Sequence, residues 1–122
     1  MKKVLIVEDN ELLRTALGKG LLGLGFDVEA ATNGQEGLEA AKKAGGDLSI
    51  ILCDVMMPVM DGFQMLREIK QDPVLRRIPF VFLTAIGDLD RMEKGRELGV
   101  ADFLIKDNVD LDKLTEVINK YA

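Results

Sequence analysis

Histidine is absent from this 122-residue chain, cysteine occurs once and proline three times. Without histidine there is no serine–histidine or cysteine–histidine catalysis and no histidine-ligated zinc. The lone Cys53 cannot close an internal disulfide, so a reducing compartment is compatible. It reads as a small core residue rather than a redox sensor. Excess positive charge is also lacking. The formal net charge is −5, whereas a nucleic-acid module needs a basic patch to neutralise phosphates. The basic pairs Lys42-Lys43 and Arg76-Arg77 read as solvated helix ends or loops. Long apolar runs are missing too. Only Val4 to Val7 separate the basic start from Glu8-Asp9, too short for a signal peptide or a membrane span. The expected location is cytoplasmic, with no direct nucleic-acid or membrane partner. What chemistry remains must run on carboxylates, hydroxyls, lysine and a hard metal ion.

What is present is ordinary for a globular protein: 48% hydrophobic and 30% charged residues, enough for one domain over residues 1–122. Short apolar runs at 4–7, 48–53 and 80–83 have the continuous character of strands covered on both faces, with weaker strands at 27–31 and 101–105. Helical patterns lie between them. The first carries Leu12, Leu13, Ala16, Leu17, Gly20, Leu21 and Leu24 at spacings of three and four, and Gly25 ends it. Others are expected at 34–43, 62–70 and 88–98. The last, capped by Asp110, should bury Leu111, Leu114, Val117, Ile118 and Tyr121. Pro73 and Pro79 keep 71–79 from forming a regular helix. Helix 88–98 has few large apolar residues and an internal Gly95, which costs about 1 kcal/mol relative to alanine. It is expected to be the least rigid helix.

Strand–helix alternation repeated five times predicts a parallel sheet with right-handed crossovers, in an open doubly wound α/β fold. Ligands of such sheets bind beyond the carboxyl ends of the strands. Glu8 and Asp9 follow strand 1, Asp54 ends strand 3, Thr84 ends strand 4 and Lys106 follows strand 5. Three clustered acids repel one another unless a cation intervenes, and an all-oxygen site suits Mg2+, with Mn2+ as an alternative. Lys106 adds a point charge and Thr84 a donor. Together they suit stabilisation of a phosphoryl group moving in line onto a carboxylate. Any one of these residues alone would be ordinary, since a single acid after a strand is commonly a helix cap. Their joint placement carries the reading.

Four motifs carry a family resemblance: Val4 to Asn10, Asp54 to Gly62, Leu83-Thr84-Ala85 and Gly99 to Lys106. Over its whole length the chain resembles the CheY-like receiver domains of two-component response regulators. The resemblance implies a flavodoxin-like (βα)5 sandwich with strand order 2-1-3-4-5. It implies phosphorylation of Asp54, assisted by Thr84 and Lys106. The metal would be held by Asp9 directly, by Glu8 through water, by Asp54 and by the Met56 carbonyl. The donor would be a sensor histidine kinase or a histidine phosphotransfer protein, and the output an unidentified downstream protein. Thr84 and Phe103 would form the switch that relays phosphorylation to a partner-binding surface. The chain would be a phosphoacceptor signalling domain rather than an enzyme acting on other substrates.

The chain departs from the family pattern after Lys106, where Asp107 replaces the usual proline. A trans bond is expected there, because a cis bond before a non-proline residue costs about 2.5–4 kcal/mol. Met56 and Ile86 flank the family's path for the hydrolytic water, so slow self-dephosphorylation is expected. Three other readings stand beside this one. A degenerate receiver that binds partners without phosphorylation is kept alive by Asp107. An aspartyl phosphatase or phosphotransferase would need a second carboxylate where Met56 stands. A flavin-binding module would need a glycine-, serine- or threonine-rich loop after strand 1.

Overall fold

The computed structural model describes residues 2–85 and 90–122. Five short strands, β1 (Lys3–Val7), β2 (Asp27–Ala31), β3 (Ile50–Asp54), β4 (Phe80–Thr84) and β5 (Asp102–Ile105), pair in the order β2-β1-β3-β4-β5. Every pairing is parallel. The connections carry α1 (Glu11–Gly23), α2 (Gly34–Ala44), α3 (Gly62–Gln71), α4 (Met92–Glu97) and α5 (Leu111–Tyr121). This is the doubly wound fold expected from strand–helix alternation.

Both sheet faces are covered, which is why the central strands, apart from their polar ends, are apolar at successive rather than alternate positions. On one face Leu5, Val7, Ile51, Cys53, Phe80 and Phe82 pack under Leu38 and Ala41 of α2 and Phe63, Leu66 and Ile69 of α3. On the other, Val4, Ile6, Ile50, Leu52, Val81, Leu83 and Leu104 pack under Leu17 and Leu21 of α1 and Leu114, Val117 and Ile118 of α5. Cys53 falls on the first face, fully buried, and its thiol donates to the Asp54 carbonyl at 3.1 Å. Burial, with the neighbouring Asp54 charge adding, pushes that thiol well above its ordinary pKa. Its environment is that of the core residue anticipated from the sequence.

Helix starts follow side-chain chemistry. Asn10, Asn33, Asp61 and Asp110 each accept the backbone N–H three residues on, from Leu13, Glu36, Gln64 and Lys113 at 2.8–2.9 Å. Each such cap contributes about 1 kcal/mol. At its far end α5 is clipped to the sheet edge, where the Tyr121 hydroxyl donates to Asp102 at 2.8 Å.

Several boundaries and contacts differ from the sequence reading. Strand 3 begins at Ile50, because a 3-10 turn at Gly45–Asp47 delivers Leu48 and Ser49 before regular pairing starts. Leu12 of α1 is 83% exposed, and Leu24, just past the end of that helix, is 52% exposed. The sheet accepts only the narrower stripe built on Leu17 and Leu21. Leu111, expected to be buried, is 39% exposed. A 3-10 turn at Leu75–Arg77 fills the proline-bounded connection. The fourth helix is described as Met92–Glu97; Asp88 and Leu89, where it was expected to begin, lie outside the described residues.

Gly95 has a different role from the one its helix propensity suggests. A Cβ there would stand 2.8 Å from Phe103 Cζ and 3.0 Å from Phe82 Cε2. The absence of a side chain lets α4 settle on the aromatic rings of the sheet. Lys94 and Arg96, on either side, lie over Phe63 and Phe103 at 4.7 and 5.7 Å from the ring centroids. Phe82 joins these rings, with centroids 5.3 Å from Phe63 and 5.8 Å from Phe103.

Candidate functional site

Parallel register brings the polar strand ends to one edge. Val7 pairs with Cys53 and with Ala31, so Glu8 and Asp54 emerge side by side. Asp54 pairs with Leu83, and Thr84 with Ile105, which places Thr84 and Lys106 on the adjoining side. The edge lies where the chain runs from β1 outward in both directions, the switch point at which open parallel sheets form a crevice.

Carboxylate oxygens of Glu8, Asp9 and Asp54 all lie within 4.8 Å of one another. Glu8 and Asp54 are buried, and Asp9 is exposed at the mouth. Lys106 reaches in from the end of β5. Its Nζ donates to Asp54 Oδ2 at 2.8 Å and stands 2.8 Å from Glu8 Oε1. The second approach is ionic rather than a directed hydrogen bond, because Glu8 Oε1, though buried, accepts no well-aligned donor. Its partner Oε2 accepts the Asn10 N–H at 3.1 Å. A buried carboxylate oxygen without a hydrogen bond, beside two more carboxylates, fits a hard divalent cation.

The electrostatics follow from this crowding. Burial is the main force raising the Asp54 carboxyl to about 7, with the Glu8 charge adding and Lys106 opposing. Burial works against the Lys106 charge, but its bonds to Asp54 and Glu8 outweigh that and hold its pKa above the ordinary lysine value.

The loop after β3 turns tightly beside Asp54. Gly62 N–H donates to Val55 O at 2.8 Å, and a Cβ on Gly62 would collide with the Asp54 carbonyl oxygen. Between them, Met60 N–H returns to Pro58 O at 2.7 Å, with Val59 at φ 69°. That tight γ-turn puts a β-branched residue in the left-handed region, a strained placement. Met56 is 45% exposed in this loop, and the Arg91 guanidinium approaches its sulfur.

Glu8, Asp9, Asp54 and Lys106 thus converge as the sequence reading anticipated. Thr84 is buried at the adjacent strand end, but its hydroxyl donates to the Ala85 carbonyl at 3.3 Å and is not hydrogen-bonded to the acids. Phe103 lies away from the acids, under α4 and against Phe82. Ile86 lies outside the described residues. The Lys106–Asp107 bond is trans, and a 3-10 turn at Lys106–Asn108 carries the chain toward α5. Sequence reasoning passed over Arg14, whose guanidinium donates to the Glu8 and Asp9 carbonyls at 2.9 and 3.4 Å. The available signal was its place one helical turn beyond the Asn10 cap, on the side facing back toward β1.

Comparison with known proteins agrees with this architecture. The family model for the response regulator receiver domain matches residues 4–119. Chemotaxis protein CheV3 of Helicobacter pylori is 36% identical, over 97% of this chain and 40% of its own length. The structure of chemotaxis protein CheY4 from Vibrio cholerae superposes with a TM-score of 0.91 at 29% identity, covering 100% of this chain and 99% of that one. The receiver domain of the sensor histidine kinase PA1611 from Pseudomonas aeruginosa, solved with a magnesium ion coordinated in its active-site cleft, gives a TM-score of 0.88 at 28% identity, covering 98% and 96%. The chain spans about half or less of the length of the first curated relatives it matches. The four strand-end groups, the sheet order and these matches together place the chain in the response regulator receiver domain family of two-component systems.

Proposed function

We propose that Asp54 accepts a phosphoryl group in a Mg2+-dependent reaction, and that residues 1–122 form one receiver domain whose partner-binding surface changes in response. One observation carries the reading: a buried carboxylate at a strand end, with two further acids within 4.8 Å and a lysine ammonium at 2.8 Å. An Asp54 oxygen attacks phosphorus, forming a P–O bond as the bond to the donor nitrogen breaks. The nitrogen lone pair returns to the donor imidazole, which takes up a proton as needed. Donors of this chemistry are a sensor histidine kinase or a histidine phosphotransfer protein.

Asp9, Asp54, the Met56 carbonyl and, through water, Glu8 would hold the magnesium, which would supply positive charge for the phosphoryl oxygens. The magnesium in the PA1611 receiver supports this assignment. Lys106 already sits on Asp54, placed to transfer its hydrogen bond to a phosphoryl oxygen. Thr84 would turn its hydroxyl from the Ala85 carbonyl to a second oxygen. That turn would alter the room beside β5 and reach Phe103, Phe82 and α4.

The test is incubation with acetyl phosphate and Mg2+, followed by intact mass, on the wild type and Asp54→Asn. One added phosphoryl group in the wild type alone is the expected result. Equal mass in both proteins, modified or not, would refute Asp54 as the acceptor.

A further inference from the structure

We infer that Arg14 is a positioning residue for the metal-binding acids: its guanidinium fixes the main chain of Glu8 and Asp9 so that their carboxylates meet beside Asp54. The inference rests on the proposed magnesium chemistry and adds a residue to it. Arg14 belongs to α1, and its own N–H donates to the Asn10 carbonyl at 2.9 Å, so its backbone is locked in the first helical turn. From there a single nitrogen, Nη1, reaches back to Glu8 O at 2.9 Å and, at longer range, to Asp9 O at 3.4 Å. These two carbonyls belong to the short stretch between β1 and α1, where regular pairing has stopped and helical bonding has not begun. Among the described residues no backbone N–H donates to either of them.

The remaining polar handles of Glu8 are held as well. Its N–H donates to Ala31 O at 3.0 Å, and its Oε2 accepts from Asn10 N–H at 3.1 Å. Only Oε1, which the Lys106 ammonium approaches at 2.8 Å, faces the site. The Arg14 charge is also felt beyond these carbonyls. It lies near enough to Glu36 to help lower that carboxyl's pKa, after the larger effect of the bonds from Thr32. Thr32, in turn, directly follows Ala31 at the end of β2. Glu8 is therefore held from β2 through its N–H and from α1 through its carbonyl.

A guanidinium beside a cation site has two effects of opposite sign. Its charge repels Mg2+, whereas its hydrogen bonds pre-organise two ligands. The structure favours the second, because Nη1 is spent on main-chain oxygens rather than on the carboxylates that would meet the metal. Loss of groups that orient metal ligands generally weakens binding about 10- to 100-fold. Arg14 acts through main chain, so the lower end of that range applies.

The experiment is calorimetric titration of Mg2+ into the wild type, Arg14→Met and Arg14→Lys, with backbone amide NMR shifts of Asp9 and Asn10 as a second readout. Circular dichroism melting first verifies that each variant is folded at the titration temperature. Arg14→Met should bind Mg2+ about tenfold more weakly, with displaced Asp9 and Asn10 amides, and Arg14→Lys should recover part of the loss. Unchanged or tighter binding by Arg14→Met would overturn the inference, because that is what removal of a merely repulsive charge produces. If the wild type itself fails to bind Mg2+, the metal-site reading falls instead, so the two failures are distinct. If Arg14→Met does not fold, the comparison passes to Arg14→Lys, which must then bind more weakly than the wild type for the inference to stand.

Discussion

Replacing Asp54 by asparagine in metal-free protein should stabilise it, and the gain should grow with pH. Asp54 is 95% buried beside the Glu8 carboxylate, and its carboxyl rises from an ordinary 3.8 to about 7, chiefly through burial. Between those values the folded protein keeps a proton that the unfolded chain has released. Stability associated with this group is therefore fullest below about pH 4 and is lost as pH rises toward about 7. At about 1.4 kcal/mol per pH unit, an isolated group would lose about 4 kcal/mol over the whole interval. Asp54 shares its proton with Glu8 and Lys106, and the cleft beside it opens to water through exposed Asp9, so roughly 1–2 kcal/mol is expected. Asparagine keeps the shape and carries no such proton. Urea unfolding of both proteins in EDTA, at about pH 5 and about pH 7.5, isolates the effect as the difference between them. The stability gap should widen by roughly 1–2 kcal/mol at the higher pH, and Mg2+ should narrow it by stabilising the wild type's charged form. A gap that stays constant or closes as pH rises would refute the account of Asp54 as a crowded, buried acid.

Other expectations follow from specific contacts. Gly95→Ala should destabilise by about 1–3 kcal/mol in urea unfolding despite alanine's better helix propensity, because its Cβ meets Phe103, and adding Phe103→Leu should recover much of the loss. Val59→Gly should stabilise by roughly 0.5–1 kcal/mol by relieving the left-handed turn, and a lower urea midpoint would contradict that strain. Phosphorylated protein should lose its phosphoryl group slowly, because on the proposed chemistry Met56 would present an apolar side chain to the attacking water; decay within seconds, followed by intact mass without any phosphatase, would refute this. Met56→Asn should shorten the lifetime.

The parts of the molecule legible in the sequence are those set by local chemistry and by period. Uniform apolar strands announced a sheet covered on both faces, and the Asp110 cap marked the start of the last helix. The converging acids were legible because strand ends share an edge once the strands are parallel. Tertiary fit was hidden. Leu12 and Leu17 look alike along the chain, yet only Leu17 meets the sheet. Gly95 looked like a weak point in its helix because the rings beneath it come from α3, β4 and β5, distant in sequence. Arg14 was silent for the same reason: its bonds go to main-chain oxygens, which leave no pattern in side-chain identity.

The Lys106 ammonium, in contact with Glu8 and Asp54 together, makes the site its own placeholder. One resident cation already balances part of the carboxylate charge, so a divalent ion arriving there would have to displace or share it. On the proposed chemistry, an ammonium displaced by magnesium would already lie within reach of a phosphoryl group on Asp54.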